Sequence, residues 1–365
     1  MIPCNDSKRL FDKYKKEFIE VALKVLNSGR YVLGENVSNF EKEFSDSIGL
    51  KFCVGVDNGT NAIKLGIQAL GIKNGDEVIV QANTYIATVL GITSNGACPV
   101  FVEPNNFFNM DENEIEGKIT SKTKAILVTH LYGQATKMDK IIAICKKYNL
   151  FLLEDCAQSH YAKYKNKFVG TFGDLAFFSF YPTKNIGAFG DAGAIVTNNK
   201  KLYKALLMLR NYGSSKRYVF ELQNGANSRI DEIQAALLRV KITHSSEITS
   251  EKENIAKLYL QKINNEFIQL PKNDIECSSV WHLFVLVVDN RSNFVEHMLK
   301  CGVKTDVHYP IPPHLSKCYE NLKIKKGQFP KTEYFANHIV DIPIFNGMTN
   351  EEINTVIEAV NSYGK

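Results

Sequence analysis

Residues 151–158 read Phe151-Leu152-Leu153-Glu154-Asp155-Cys156-Ala157-Gln158, and they decide how the rest of the chain is read. Three apolar residues run straight into two carboxylates. A short apolar run bounded by polar residues is the pattern of a buried strand. A carboxylate leaving such a strand is costly unless it meets a partner. In an open parallel sheet the carboxyl ends of the strands are also where ligands bind. The plain alternative is an aspartate that only caps the next turn, so the surroundings must discriminate.

Outward from this run, strand and helix patterns alternate. Residues 52–56, 78–80, 99–102 and 125–128 read as strands, and 62–70, the stretch near Thr88 and 138–148 as helices. Alternation of this kind predicts a mostly parallel sheet with helices on both faces. Upstream, Phe11, Tyr14, Phe18, Val21, Ala22 and Val25 share one face of an opening helix that ends at Asn27-Ser28-Gly29. A short helix carrying Phe40 and Phe44 follows. Downstream, 175–180 and 194–197 read as strands joined by a glycine-rich turn, and 201–210 and 231–241 as helices. The expected organisation is α/β, with a large domain over 1–245 and a smaller C-terminal α/β domain over 246–365. The second holds a strand at 282–288 and helices at 294–301 and 351–363.

Composition narrows the class. The 365 residues are 44% hydrophobic and 23% charged, an ordinary globular balance. A formal charge of +5 suits an anionic small substrate and is no footprint for nucleic acid. The eight cysteines have irregular spacing and form no C-x-x-C pair, so no zinc site or disulfide framework is expected. Cys53, Cys98 and Cys145 lie in apolar runs and read as core residues. No apolar leader opens the chain, and the longest apolar run, near 281–288, is too short to span a bilayer. A cytoplasmic protein without a membrane segment is expected.

Two further segments carry chemistry. Asn58-Gly59-Thr60-Asn61 lies between a strand and a helix, where unpaired backbone N–H groups and the helix dipole favour an anion. Ser179-Phe180-Tyr181-Pro182-Thr183-Lys184-Asn185 runs into Gly187, Gly190, Asp191 and Gly193, which puts Lys184 in a crowded turn after a buried strand. An anion cup, a strand-end aspartate and a turn lysine, in that order on one sheet, are the parts pyridoxal 5'-phosphate needs. No G-x-G-x-x-G or G-x-x-x-x-G-K-[ST] occurs.

These segments resemble the DegT/DnrJ/EryC1/StrS sugar aminotransferases of the fold-type I (aspartate aminotransferase-like) group. The likeness is carried by 55–60, 75–78, 83–88, 154–158, 179–193 and Asn227-Ser228-Arg229-Ile230-Asp231-Glu232-Ile233-Gln234-Ala235-Ala236. It implies Lys184 as the Schiff-base lysine and Asp155 as the partner of the pyridinium nitrogen. Gln158 would touch the ring hydroxyl, and Tyr85 would stack on the ring. Gly59, Thr60 and Ser179 would hold the phosphate. Asn227 would reach the cofactor of a second subunit in a homodimer, from the end of a flexible stretch over 212–225. Tyr181, His308 and Tyr309 would hold the sugar. Glutamate would be the donor.

Residues 83–88, 99–104 and 130–134 resemble the branch that aminates C3 of a dTDP-3-keto-6-deoxyhexose, with no metal involved. The alternatives are C4 amination of a 4-keto-6-deoxy nucleotide sugar, and a non-catalytic regulator on the same scaffold. A pyridoxamine-dependent dehydratase would carry a histidine in place of Lys184, and an NAD-linked oxidoreductase would need the absent glycine fingerprint. Three positions depart from the pattern. Tyr161 stands where glycine is usual and is expected to alter the pocket wall; Ala192 replaces a glycine and Asn61 an aspartate.

Overall fold

The structure, a computed structural model, describes residues 1–364. Phe52–Val56 (β1), Glu77–Gln81 (β2), Cys98–Val102 (β3), Thr123–Thr129 (β4), Phe151–Asp155 (β5), Leu175–Ser179 (β6) and Gly193–Thr197 (β7) form one seven-stranded sheet in the order β1-β7-β6-β5-β4-β2-β3. β2 to β6 pair in parallel, while β7 runs antiparallel to both β6 and β1. The mostly parallel sheet expected from the alternation is therefore present.

Strands covered on both faces need apolar residues at every position. Val78, Ile79, Val80, Ile126, Leu127 and Val128 accordingly have no exposed surface. One face packs against helices Glu35–Ile48 and Glu232–Thr243, where Phe44 meets Phe178 and Phe180 edge-on at ring distances of 4.9 and 5.2 Å. The other face packs against Gly59–Ala69 and Lys200–Leu209.

A second, antiparallel sheet follows, built from Ile268–Gln269 (β8), Phe284–Val288 (β9) and Ile339–Ile342 (β10). Helices Ser245–Lys262, Arg291–Lys300 and Asn350–Ser362 contribute to its core. The first residues of the chain pack here too. Ile2 bridges Val303, and the Arg9 guanidinium forks onto both carboxylate oxygens of Glu352, each at 2.5 Å.

Several local expectations are corrected. The opening helix is two helices, Ser7–Lys13 and Lys15–Ser28, broken at Tyr14. The helix carrying Phe40 and Phe44 spans 14 residues. Cys98 is exposed, because it begins the edge strand β3. The stretch 212–225 holds a hairpin, Ser214–Lys216 against Val219–Phe220. Tyr161 does not line the active-site cavity. Its ring packs beside Phe44 and Phe168, and its hydroxyl lies 3.2 Å from Ser47 Oγ. Its φ of 67° explains why glycine suits that position, since only glycine adopts the left-handed region without cost.

Glu232 ties the layers together. Its buried carboxylate accepts hydrogen bonds from Gly34 N (2.7 Å), Asn36 N (3.0 Å), Val37 N (2.9 Å) and Asn36 Nδ2 (3.0 Å), capping helix Glu35–Ile48. Burial alone pushes its pKa up, but these donors outweigh it and hold the carboxyl below its ordinary value. A depressed carboxylate stabilises the fold above its unfolded pKa, and the contribution is lost as pH falls through the folded one. Glu232→Gln should cost about 2 kcal/mol and lower the thermal midpoint by several degrees at pH 7. As pH falls below the ordinary carboxylate range and through the depressed folded pKa, the wild-type carboxyl is protonated too and the difference should shrink. Calorimetry across that pH range checks both.

Candidate active site

The carboxyl ends of the parallel strands share one edge, and the site is built there. β1 ends at Val56 and leads through Asp57 into the helix Gly59–Ala69. Asn58 caps that helix, its Oδ1 accepting from Asn61 N at 2.8 Å. Asn61 in turn donates to Asp57 Oδ2 at 2.7 Å, so the residue that departs from the family pattern helps to brace the turn. Gly59 has no room for a side chain: a Cβ there would sit 2.8 Å from the Ser179 Cβ. A Cβ on Gly193 would lie 2.5 Å from the Asn58 carbonyl carbon. These two glycines let β6 and β7 close under the helix N-terminus.

β5 delivers Asp155, 4% exposed. Its Oδ2 accepts from Thr88 Oγ1 at 2.7 Å and its Oδ1 from Ala157 N at 3.0 Å. Thr88 is the end of a buried hydroxyl chain, 2.8 Å from Thr84, which is 2.9 Å from Thr129. Burial raises the Asp155 pKa, offset in part by these donors and by the charge of Lys184. Lys184 sits in the turn after β6, where burial lowers its pKa to about 8 against the pull of Asp155. Gln158 is committed at both ends: Oε1 accepts from Tyr132 N at 2.6 Å, and Nε2 donates to the Tyr309 hydroxyl at 3.0 Å. Tyr85 stacks on Tyr309 with ring centroids 4.7 Å apart.

A cavity of about 520 Å³ opens onto this edge. It is lined by Gly59, Thr60, Tyr85, Asp155, Gln158, Ser179, Tyr181, Lys184, His308 and Tyr309, which brings all but one of the expected site residues together. Asn227 is the exception. It is exposed, is bridged to Asn211 and does not line the cavity of its own chain.

The residues fit pyridoxal phosphate. Asp155 is a buried carboxylate with two hydrogen bonds and, among the described residues, no ion pair, an environment that suits a cation from a ligand. The helix N-terminus is an anion cup, and Lys184 is an amine held ready to lose its proton.

Sequence reading missed the Thr84–Thr88–Thr129 chain, although the i, i+4 spacing of Thr84 and Thr88 at a helix start signals it. His282 and Asp191 also line the cavity and were missed. Behind the sheet edge, His130, Glu154 and Cys156 cluster closely enough to suggest a metal site. The Glu154 oxygens are already taken, by His130 Nε2 (3.1 Å) and by the backbone N–H groups of Gly170 (2.7 Å), Phe172 (2.8 Å) and Gly173 (2.7 Å). Among the described residues, no helix is long and apolar enough to cross a membrane.

Comparison with known proteins agrees with the geometry. The DegT/DnrJ/EryC1/StrS aminotransferase family pattern matches residues 12–361. The chain is 48% identical, over the full length of both, to a dTDP-3-amino-3,6-dideoxy-alpha-D-galactopyranose transaminase of Aneurinibacillus thermoaerophilus. It superposes on the crystal structure of S. venezuelae DesV with a TM-score of 0.97 at 38% identity, covering 99% of this chain and 97% of that one. NtdA of Bacillus subtilis, solved with bound cofactor PMP, matches with a TM-score of 0.91 at 30% identity, covering 97% of this chain and 83% of that one.

Thr88→Val should leave the fold intact and remove one of the two donors to Asp155. A hydrogen bond to a charged group contributes about 1.5–3 kcal/mol. Turnover should therefore fall about 10- to 100-fold with cofactor still bound, and Asp155→Asn should fall further. Steady-state rates and the cofactor absorbance of each variant check this.

Proposed function

Because the chain belongs to the DegT/DnrJ/EryC1/StrS aminotransferase family, we propose that it moves an amino group from glutamate to C3 of a dTDP-3-keto-6-deoxyhexose, giving a dTDP-3-amino-3,6-dideoxyhexose. It is an aminotransferase, and its cofactor is pyridoxal phosphate. The observation that carries the choice of C3 is the end-to-end identity of 48% with a transaminase named for a 3-amino-3,6-dideoxy sugar.

Bound at this edge, pyridoxal phosphate supplies an electron sink through which an amino group leaves one carbon and joins another. The chain's residues do the rest. Gly59, Thr60 and Ser179 hold the phosphate at the helix N-terminus. Asp155 keeps its charge toward the ring nitrogen and favours the protonated ring. Lys184 anchors the cofactor and moves the proton, a task suited to an amine with a pKa of about 8. Gln158 would contact the ring hydroxyl, and Tyr85, backed by Tyr309, would stack on the ring. Tyr181, His308 and Tyr309 hold the sugar. The donor and the acceptor use the same cavity in turn.

The working unit is a homodimer in which Asn227 serves the partner's phosphate. Its exposure, and its place beside an exposed hairpin carrying Tyr218 and Phe220, support that reading. Eight free cysteines suit the reducing cytoplasm.

A shift of about an ångström in the reacting carbon costs on the order of a hundredfold in rate. Incubation with glutamate and each ketone, followed by NMR of the product, should show amination of the 3-keto sugar at least that much faster than of its 4-keto isomer. Efficient turnover of the 4-keto isomer alone would assign the enzyme to C4. Mixing Lys184→Ala with a severe Asn227 variant, each inactive, should restore activity, since one hybrid site regains both wild-type residues. No recovery in a mixture shown to exchange subunits would contradict the shared site.

A further inference from the structure

His308 lines the cavity, but its ring is held from outside the large sheet. Asp306 and Asp341 form an antiparallel bridge, with Asp341 N donating to Asp306 O at 2.8 Å and Asp306 N to Asp341 O at 3.2 Å. That bridge lays the segment leading to His308 along β10. From there His308 Nδ1 hydrogen-bonds the Asp341 Oδ2. The backbone carbonyl of His308 accepts from the Tyr132 hydroxyl, so the residue is tied at ring and main chain.

Asp341 is 2% exposed, and its second oxygen, Oδ1, is buried without a hydrogen-bond partner. A half-satisfied buried carboxylate is a poor stabilising device. Its one strong interaction is with a histidine that faces the reaction cavity. His308 Nδ1 is thereby committed, and Nε2 has no partner among the described residues. Nε2 is the nitrogen left for a ligand.

We propose that Asp341 is a positioning residue that fixes the His308 ring and presents Nε2 to the cavity as a hydrogen-bond donor to an oxygen of the acceptor sugar nucleotide. This rests on the aminotransferase reading of the same site. Carboxylate–imidazole pairing of this kind sets both tautomer and orientation.

The electrostatics point the same way. Burial pulls the His308 pKa down, but the hydrogen bond and charge of Asp341, helped by Asp306, outweigh it, and Lys184 opposes them. The net direction is up, so His308 keeps its proton, and Nε2–H remains a donor, to higher pH than an ordinary histidine. Other groups near the pair are Tyr132, Tyr309 and His282 from the cavity wall, and Cys4 and Lys304 near the two aspartates.

Asp341→Asn keeps the shape and removes the charge. For wild type, kcat/KM for the acceptor should fall as pH rises through the His308 pKa; burial raises the Asp341 pKa to about 6, so the charged pair is read above that pH. In Asp341→Asn the fall should begin at lower pH. At pH 7.5 the KM for the acceptor should rise about tenfold, while the glutamate half-reaction, read from the cofactor spectrum, stays unchanged. The double variant Asp341→Asn/His308→Gln should lose no more than His308→Gln alone. Histidine ¹⁵N NMR of the holoenzyme without acceptor, assigned against His308→Gln, should show the His308 titration moving down in Asp341→Asn.

An unmoved His308 titration and an unchanged acceptor pH profile would overturn the proposal, as would additive losses in the double variant. The NMR titration needs no substrate. The kinetic ratios hold for whichever nucleotide keto sugar turns over, so a wrong choice of C3 would leave this test standing.

Discussion

The site depends on one uncomfortable group, the buried Asp155 carboxylate at the end of an apolar strand. Burial penalises its charge, and two hydrogen bonds, the nearby Lys184 and His130 offset that in part. Such a group persists when a bound cation completes it. Much of the surrounding architecture bears on that carboxylate. The hydroxyl chain ends in Thr88, whose hydrogen bond offsets part of the burial penalty, Lys184 lies close enough for each charge to shift the other's pKa, and the parallel sheet places both on one edge with the anion cup.

The second sheet contributes what the first cannot. The large sheet builds a cavity with a helix N-terminus, a buried carboxylate and a buried lysine on one edge. His308 and Tyr309, which line that cavity, precede the second sheet's last strand, and His308 is held by it through Asp341. Tyr309 also reaches Gln158 and stacks on Tyr85, so residues of both units meet at the cavity. Binding energy from both is brought to one point, the arrangement that makes placement of a single carbon selective.

Much of this was legible in the sequence. The period of the apolar residues revealed the parallel sheet, because strands buried on both faces leave continuous apolar runs. Asp155, Lys184 and the 58–61 turn stood out because each breaks such a run at a strand end. The illegible features depend on contacts distant in sequence. Nothing near Asp341 marks it: it interrupts a four-residue strand that follows helix Pro330–His338 without a turn, and its partner lies 33 residues away. Tyr161 misled for a related reason. It replaces glycine next to the segment 158–160, but its backbone conformation turns the ring toward Phe44 and Phe168, away from the cavity. Cys98 read as core because an edge strand and a central strand share the same local pattern.

Lys184, proposed as the amine that carries the cofactor, is one of several buried lysines. Lys241 and Lys252 are also buried, with pKa values lowered to about 8 and about 7, and both line a small cavity that Lys184 shares. Reduction of the yellow holoenzyme with borohydride, followed by proteolysis and mass mapping, separates them. Loss of the visible absorbance and a pyridoxyl-phosphate mass on the peptide containing Lys184 alone are expected. The same mass on the peptide of Lys241 or Lys252, with Lys184 unmodified, would contradict it.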